Sequence, residues 1–94
     1  MKRLLGNYLR EVRAGGSRVQ FARRLGLSYT FVREVELGNR LPSDEVLLDI
    51  AQRLSVDARR LVLYAHCDRS PELYKILREN DVASLLPANI AESA

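Results

Sequence analysis

The sequence predicts an all-α fold, a compact bundle of about five helices with a helical C-terminal extension. Three observations support this prediction. Apolar residues recur at spacings of three and four along most of the chain, as on the buried face of a helix. Serine or aspartate stands before several of these runs, where a helix N-cap is expected. No segment shows the alternating pattern of a half-buried strand in a convincing way.

The helices are predicted in order from these signals. Leu5, Leu9 and Val12 form one apolar face of a first helix, which Gly15-Gly16 ends. Serines then precede three more helices, an aspartate precedes the fifth, and Pro71 suits the first turn of a sixth segment. The predicted helices are Lys2–Ala14, a second capped by Ser17 and ending at Leu25, a third capped by Ser28 and ending at Leu37-Gly38, a fourth capped by Ser43, a fifth from Asp57 to about Ala65, a sixth starting at Ser70-Pro71-Glu72, and a last turn within Asp81–Leu86.

The segment from Ser17 to Ser43 carries most of the functional information. Ala22 allows two helices to approach closely, Gly26 suits a tight turn with positive φ, and Ser28 can cap the next helix. The apolar residues of the segment fall where the two helices would bury each other. These residues are Phe21, Leu25, Leu27, Val32 and Val35. The combination is the signature of a helix-turn-helix, whose second helix usually enters a DNA major groove.

The residues after Gly26 make a more specific resemblance. The run GLSYTFVREVELGNRLPS, residues 26–43, contains Glu36-x-Gly38 and Pro42-Ser43 and resembles the Cro/C1-type (XRE-like) family of phage and bacterial repressors. The resemblance covers roughly Leu5 to Tyr64. It implies a repressor-like bundle of about five helices that is usually dimeric and binds operator DNA. We accordingly expect residues 1–66 to form the DNA-binding domain and residues 67–94 to form a C-terminal helical extension.

The distribution of charge agrees with a polyanionic partner. Residues 1–43 contain nine Lys/Arg and three Asp/Glu, a net charge of +6, whereas residues 44–94 contain six and nine, a net of −3. A basic half of this kind can orient the molecule toward DNA. A solvated surface with chance asymmetry is the alternative, and charge alone does not distinguish the two.

Three residues of the third helix, Tyr29, Thr30 and Arg33, are predicted to face outward from its first turns. Thr30 and Arg33 can bond base edges, and Tyr29 can contact a phosphate or pack on a sugar. Ser28 and the helix N-terminus can bond a phosphate. The alternative for each is an ordinary solvated helix face, and Glu34 receives no base contact.

Further residues are assigned through the resemblance. Arg18 stands where the family usually has a glutamine that contacts a phosphate, and Asn39 and Arg40 match family positions near the DNA backbone. Arg13 should form a partly buried structural ion pair with Glu36. The segment from Arg13 to Ala22 is about two residues shorter than usual in the family, so the pairing needs a shorter turn at Gly15-Gly16.

Other classes of function find little support. A chain of 94 residues makes one small domain, and neither a signal peptide nor a membrane-spanning run is visible. The lone cysteine allows no intrachain disulfide, so we expect a cytoplasmic protein that is bacterial or phage-encoded. Cys67 is the single cysteine and His66 the single histidine, which is too few for a zinc site or an oriented nucleophile pair. We therefore predict no enzymatic activity, no catalytic residue, no metal and no cofactor.

The sequence favours a sequence-specific transcriptional regulator, a repressor that binds a two-fold operator as a homodimer through helix 28–37. An antitoxin that represses its own operon, with a toxin or another regulatory protein as partner, is one alternative. A protein-interaction module that keeps the fold without binding DNA is another. Neither the operator nor the regulated genes follow from the sequence.

The segment after Ala65 contains an apolar face that is expected to fold back on the fifth helix and also to build much of a dimer interface. The residues of this face are Leu73, Ile76, Leu77, Val82, Leu85 and Leu86.

Overall fold

The structure, a computed structural model, describes residues 3–80. This part of the chain contains six helices joined by turns and loops, and it has no strand. The predicted all-α fold is confirmed. The described helices are α1 (Leu4–Arg13), α2 (Arg18–Leu25), α3 (Tyr29–Glu36), α4 (Asp44–Leu54), α5 (Ala58–Arg69) and α6 (Pro71–Glu79). The turn predicted within residues 81–86 lies outside the described residues.

Local sequence signals explain where most of these helices begin. Each predicted cap accepts a hydrogen bond from a backbone N–H in the first turn of its helix. The pairs are Ser17 with Gln20, Ser28 with Phe31, Ser43 with Val46, Asp57 with Arg59, and Ser70 with Leu73. Gly26 ends α2 with a φ of 68°, so the positive φ predicted for the turn is confirmed.

Two helix ends differ from the prediction. Helix α1 ends at Arg13 because Ala14 already takes a left-handed conformation, with a φ of 54°, one residue before Gly15. Helix α5 continues past Ala65 to Arg69, since Cys67 and Asp68 are buried against the rest of the bundle. Tertiary packing therefore extends α5 where the apolar pattern of the sequence stops.

The core lies between the first five helices. Its buried apolar side chains come from each of them, and they form one continuous cluster. The cluster consists of Leu5, Leu9, Phe21, Ala22, Leu25, Val32, Val35, Leu47, Ile50, Ala51, Leu54, Leu61 and Ala65. Helix α1 crosses α3 closely at Gly6, where an added Cβ would lie 2.6 Å from the carbonyl oxygen of Glu36. The backbone of α1 therefore rests directly on the end of α3.

The beginning of α1 is held by a residue far away in sequence. The carboxylate of Asp68, near the end of α5, accepts the backbone N–H groups of Leu4 at 2.9 Å and Leu5 at 3.1 Å. It thus replaces the side-chain cap that Arg3 does not provide. A carboxylate at the positive end of the α1 dipole is also favourable electrostatically.

Helix α6 packs against α5 and contains no fully buried residue. Its Leu73 and Leu77 are partly buried, and Ile76 is exposed. The packing on α5 agrees with the expected fold-back of this segment. The proposed division of the chain at residues 66 and 67 lies inside α5 and stays a prediction.

Candidate nucleic-acid interface

The second helix of the helix-turn-helix, α3, presents a polar face to solvent. Val32 and Val35 are buried against the bundle, whereas Tyr29, Thr30 and Arg33 are exposed. Ser28 is also exposed, and its hydroxyl is occupied by the N–H of Phe31 at 3.1 Å, so it acts as the cap of α3. The first turns of α3 are therefore accessible from solvent.

Glu36 fastens the other end of α3 to the bundle. Its side chain is fully buried, and both carboxylate oxygens face the guanidinium of Arg13: Nη2 lies 2.9 Å from Oε1, and Nε lies 3.0 Å from Oε2. Arg13 also donates to the carbonyl of Gly16 at 2.7 Å. The short turn between α1 and α2 is thus compatible with the pair, because Arg13 binds the turn and Glu36 together.

Arg18 is a second cation on the same carboxylate. Its Nε and Nη2 each lie 3.2 Å from Oε1 of Glu36. Its Nη1 reaches the hydroxyl of Tyr29 at 3.4 Å, and the guanidinium carbon lies 5.8 Å from the centre of the Tyr29 ring. The hydrogen bond to Tyr29 has the largest effect and raises the pKa of Arg18; burial opposes it, and the hydrogen bond and charge of Glu36 add to the increase. Two guanidinium groups therefore share one buried negative charge, which leaves a net positive charge beside α3.

Glu34 links two of the residues assigned to DNA contact. Its Oε1 accepts from Nη1 of Arg33 at 2.9 Å, and its Oε2 accepts from Nδ2 of Asn39 at 2.8 Å. The backbone N–H of Asn39 also donates to the carbonyl of Glu34 at 2.9 Å. Glu34 therefore fixes the start of the loop after α3 to the outer face of the helix.

Arg40 follows in the same loop. Its guanidinium carbon lies 4.9 Å from the centre of the Phe31 ring, a distance typical of a cation–π contact. Phe31 itself is partly buried. The contact leaves the Arg40 side chain exposed at the N-terminal half of α3.

The structure thus brings the predicted residues together around α3, with one unforeseen feature. Arg18, Arg33, Asn39 and Arg40 all have partners within the protein. The sequence did not show that Arg18 shares Glu36, nor that Glu34 holds both Arg33 and Asn39. Neither arrangement could be predicted as a whole, because the Arg18 contact depends on how two helices pack and the Asn39 contact depends on how the loop after α3 folds.

Other kinds of site lack support within residues 3–80. No group of three or more metal-ligating side chains occurs there. Cys67 is buried, and burial, reinforced by the charge of Asp68, raises the pKa of its thiol. No helix in the described part of the chain is long and apolar enough to cross a membrane.

Comparisons with known proteins agree with this architecture. A helix-turn-helix family model matches residues 8–61. An uncharacterized HTH-type transcriptional regulator, YazB of Bacillus subtilis (strain 168), is 44% identical over 41 residues, which cover 44% of this chain and 59% of the relative. The match therefore spans less than two thirds of the relative's length. No solved structure matches the chain significantly. The family match covers more than half of the chain, so the protein belongs to the XRE-type helix-turn-helix family.

Proposed function

We propose that this protein is a sequence-specific DNA-binding transcriptional regulator, a Cro/C1-type repressor that reads its operator with α3. The observation that carries the proposal is the exposed polar face of α3, with Thr30 and Arg33 at its centre and Arg18 and Arg40 nearby. Family membership supports it, and the Bacillus relative is named as an HTH-type transcriptional regulator.

The residues around α3 divide into two roles. Thr30 and Arg33 are exposed on the helix face that enters a major groove in this type of fold, so we assign them to base edges. Arg18, Asn39 and Arg40 lie beside that face or in the loop after it, and we assign them to phosphates.

Tyr29 and Ser28 complete the phosphate-contacting set. The ring of Tyr29 is exposed, and its hydroxyl lies beside Arg18, so one phosphate can bind both groups. The hydroxyl of Ser28 is already used by the cap, which makes the N–H groups of the first turn the more available donors at this end.

A homodimer is part of the proposal. One helix reads too few base pairs for high specificity, so two copies on half-sites about one helical turn apart are expected. The apolar side of α6 is a suitable interface, since Ile76 is exposed and Leu73 and Leu77 are only partly buried. A two-fold axis there would pair identical surfaces and fix the distance between the two copies of α3.

Selection of bound duplexes from a random library, followed by affinity measurements over a range of salt concentrations, tests the proposal. We expect a preferred sequence with two-fold symmetry and a binding constant that falls steeply with salt. Shallow salt dependence without a preferred duplex would reject the proposal and favour a protein-interaction module.

Matched variants then separate the two roles. Thr30→Ala should lose roughly 1–3 kcal/mol of discrimination at particular base pairs. Arg40→Ala should instead weaken binding to all duplexes alike and lower the salt slope by roughly one unit. A change of base preference in Arg40→Ala, or equal loss on all sequences in Thr30→Ala, would contradict the assignment.

Light scattering on the full chain tests the dimer. Ile76→Lys places a charge on the exposed side of α6 without entering the core, and it should produce a folded monomer with weaker operator binding. Leu48→Lys makes the same change at an exposed position of α4 and should leave the dimer intact. A dimer of unchanged strength in Ile76→Lys would exclude the α6 interface.

A further inference from the structure

Glu34 stands out because it places a carboxylate on the helix assigned to DNA. It lies one helical turn after Thr30 and next to Arg33, so it borders the exposed face of α3. Its side chain is 24% exposed, against 48% for Arg33. A phosphate backbone therefore approaches a negative charge at this point, which is unfavourable for any DNA sequence.

Both oxygens of Glu34 are engaged with neighbouring donors. Arg33 binds Oε1 at 2.9 Å through Nη1 alone, and Asn39 binds Oε2 at 2.8 Å. An arginine has five N–H donors in a fixed plane, so a single contact at Nη1 leaves others available to a guanine edge. The contact also removes part of the rotamer freedom of a long side chain before any ligand binds.

We propose that Glu34 is a specificity-determining, positioning residue that favours operator over other DNA. Its carboxylate reduces the attraction of the Arg33 guanidinium to DNA phosphates in general. It also holds the guanidinium where hydrogen bonds to a base edge are still possible. Non-operator DNA offers Arg33 mainly charge attraction, which Glu34 offsets, whereas the operator also offers hydrogen bonds. This inference rests on the proposed function, and it assigns Glu34 an effect through Arg33 and Asn39 instead of a base contact of its own.

The same contacts extend the effect to the loop after α3. Asn39 is tied to Glu34 through its side chain and through its backbone N–H. Arg40 is the next residue, so the position of its phosphate contact depends on the same tie. Removing the carboxylate should therefore loosen a phosphate-binding loop as well as free Arg33.

The test compares the wild-type protein, Glu34→Gln and Asp49→Asn on a duplex obtained by selection and on its scrambled version. Asp49 is the matched control, because it also pairs with an arginine, Arg53 at 2.9 Å, but on α4. We expect Glu34→Gln to bind the scrambled duplex about fivefold more tightly, since one repulsive surface charge is removed. Binding of the selected duplex should change little, since the loss of that repulsion is offset there by the loss of a positioned Arg33. Its salt slope should steepen by up to roughly one unit as Arg33 becomes free for phosphate. Asp49→Asn should leave the ratio of the two affinities unchanged.

A double-mutant cycle with Arg33→Ala shows whether the effect passes through Arg33. In the Arg33→Ala background, the fold change in the affinity ratio that Glu34→Gln causes should be less than half of the fold change it causes in the wild-type background. Thermal melts of each variant verify that it is folded. An unchanged or higher affinity ratio in Glu34→Gln, an equal fall in Asp49→Asn, or an undiminished effect without Arg33 would overturn the inference. Absence of any preferred duplex for the wild-type protein would instead reject the proposed function itself.

Discussion

Glu36 and Asp68 are the two buried acidic side chains of residues 3–80, and their partners differ in kind. Glu36, at the end of α3, is neutralised by the side chains of Arg13 and Arg18. Asp68, near the end of α5, accepts two backbone N–H groups at the start of α1. Helix α1 connects the two regions, because Asp68 binds the N–H groups at its start and Glu36 binds the side chain of Arg13 at its end.

The difference separates the part of the bundle beside the proposed DNA-binding face from a part held together by backbone contacts. The Glu36 region carries two guanidinium groups and lies beside the exposed face of α3, so a change there should affect both stability and the charge near the proposed DNA-binding face. The Asp68 region instead uses the neutral N–H donors and the dipole at the start of α1. Changes at Asp68 should therefore affect folding and leave the salt dependence of binding unchanged.

Replacing Glu36 is expected to have the largest effect. Glu36→Ala leaves two guanidinium groups without their carboxylate and a cavity at a fully buried position, so the free energy of unfolding should fall by about 3–5 kcal/mol. Urea denaturation measures this loss. Glu11→Ala, at an exposed position of α1, is the control and should change stability by less than about 0.5 kcal/mol. Equal midpoints for the two variants would show that the Glu36 pair contributes nothing to folding.

Gly6→Ala tests the contact of α1 with α3 between the two regions. The added methyl group would lie 2.6 Å and 2.7 Å from the backbone carbonyl oxygens of Glu36 and Val35, which are not free to rotate away. Helix α1 must therefore shift, at a cost of about 3 kcal/mol in unfolding free energy. Thermal melting should show a clear loss, whereas Asn7→Ala at the exposed neighbouring position should not. Wild-type stability in Gly6→Ala would exclude a direct backbone contact between α1 and α3.

Asp68→Ala should cost about 2 kcal/mol. The N–H of Leu5 is buried and loses its acceptor, whereas the N–H of Leu4 is only partly buried and can bind water. Asp68→Asn keeps one acceptor oxygen and should lose about half as much. Hydrogen exchange at the first turn of α1 would locate the effect, and the salt slope of DNA binding should be that of the wild type. Slow exchange at Leu5 in Asp68→Ala would contradict the capping role.

The sequence predicted one of these regions and not the other, for a physical reason. Glu36 belongs to a contiguous motif, so resemblance could suggest Arg13 as its partner across 23 residues. Asp68 acts on the backbone of Leu4 and Leu5, more than 60 residues away, and a backbone N–H leaves no mark in a sequence. The helix caps were predictable because a serine and the N–H that it binds are three residues apart. The partners of Glu34 were not, since Asn39 reaches it only when the loop after α3 folds back.

The two arginines on Glu36 allow the finest comparison, and the smallest effect on stability is expected there. Arg13→Ala removes two hydrogen bonds to the Glu36 carboxylate and one to the carbonyl of Gly16, so the free energy of unfolding should fall by about 1–2 kcal/mol. Arg18→Ala removes longer contacts of a more exposed guanidinium, so the free energy of unfolding should fall by about 1 kcal/mol or less.

The effects of the two variants on DNA binding should have the opposite order. Arg18 lies beside Tyr29 on the proposed DNA face, so its loss should lower the salt slope by roughly one unit, whereas Arg13 is enclosed by Glu36 and the turn and should leave the slope unchanged. Denaturation and salt-dependent binding of the two variants in parallel provide the measurement. Equal slopes would remove Arg18 from the DNA interface and make both arginines purely structural partners of Glu36.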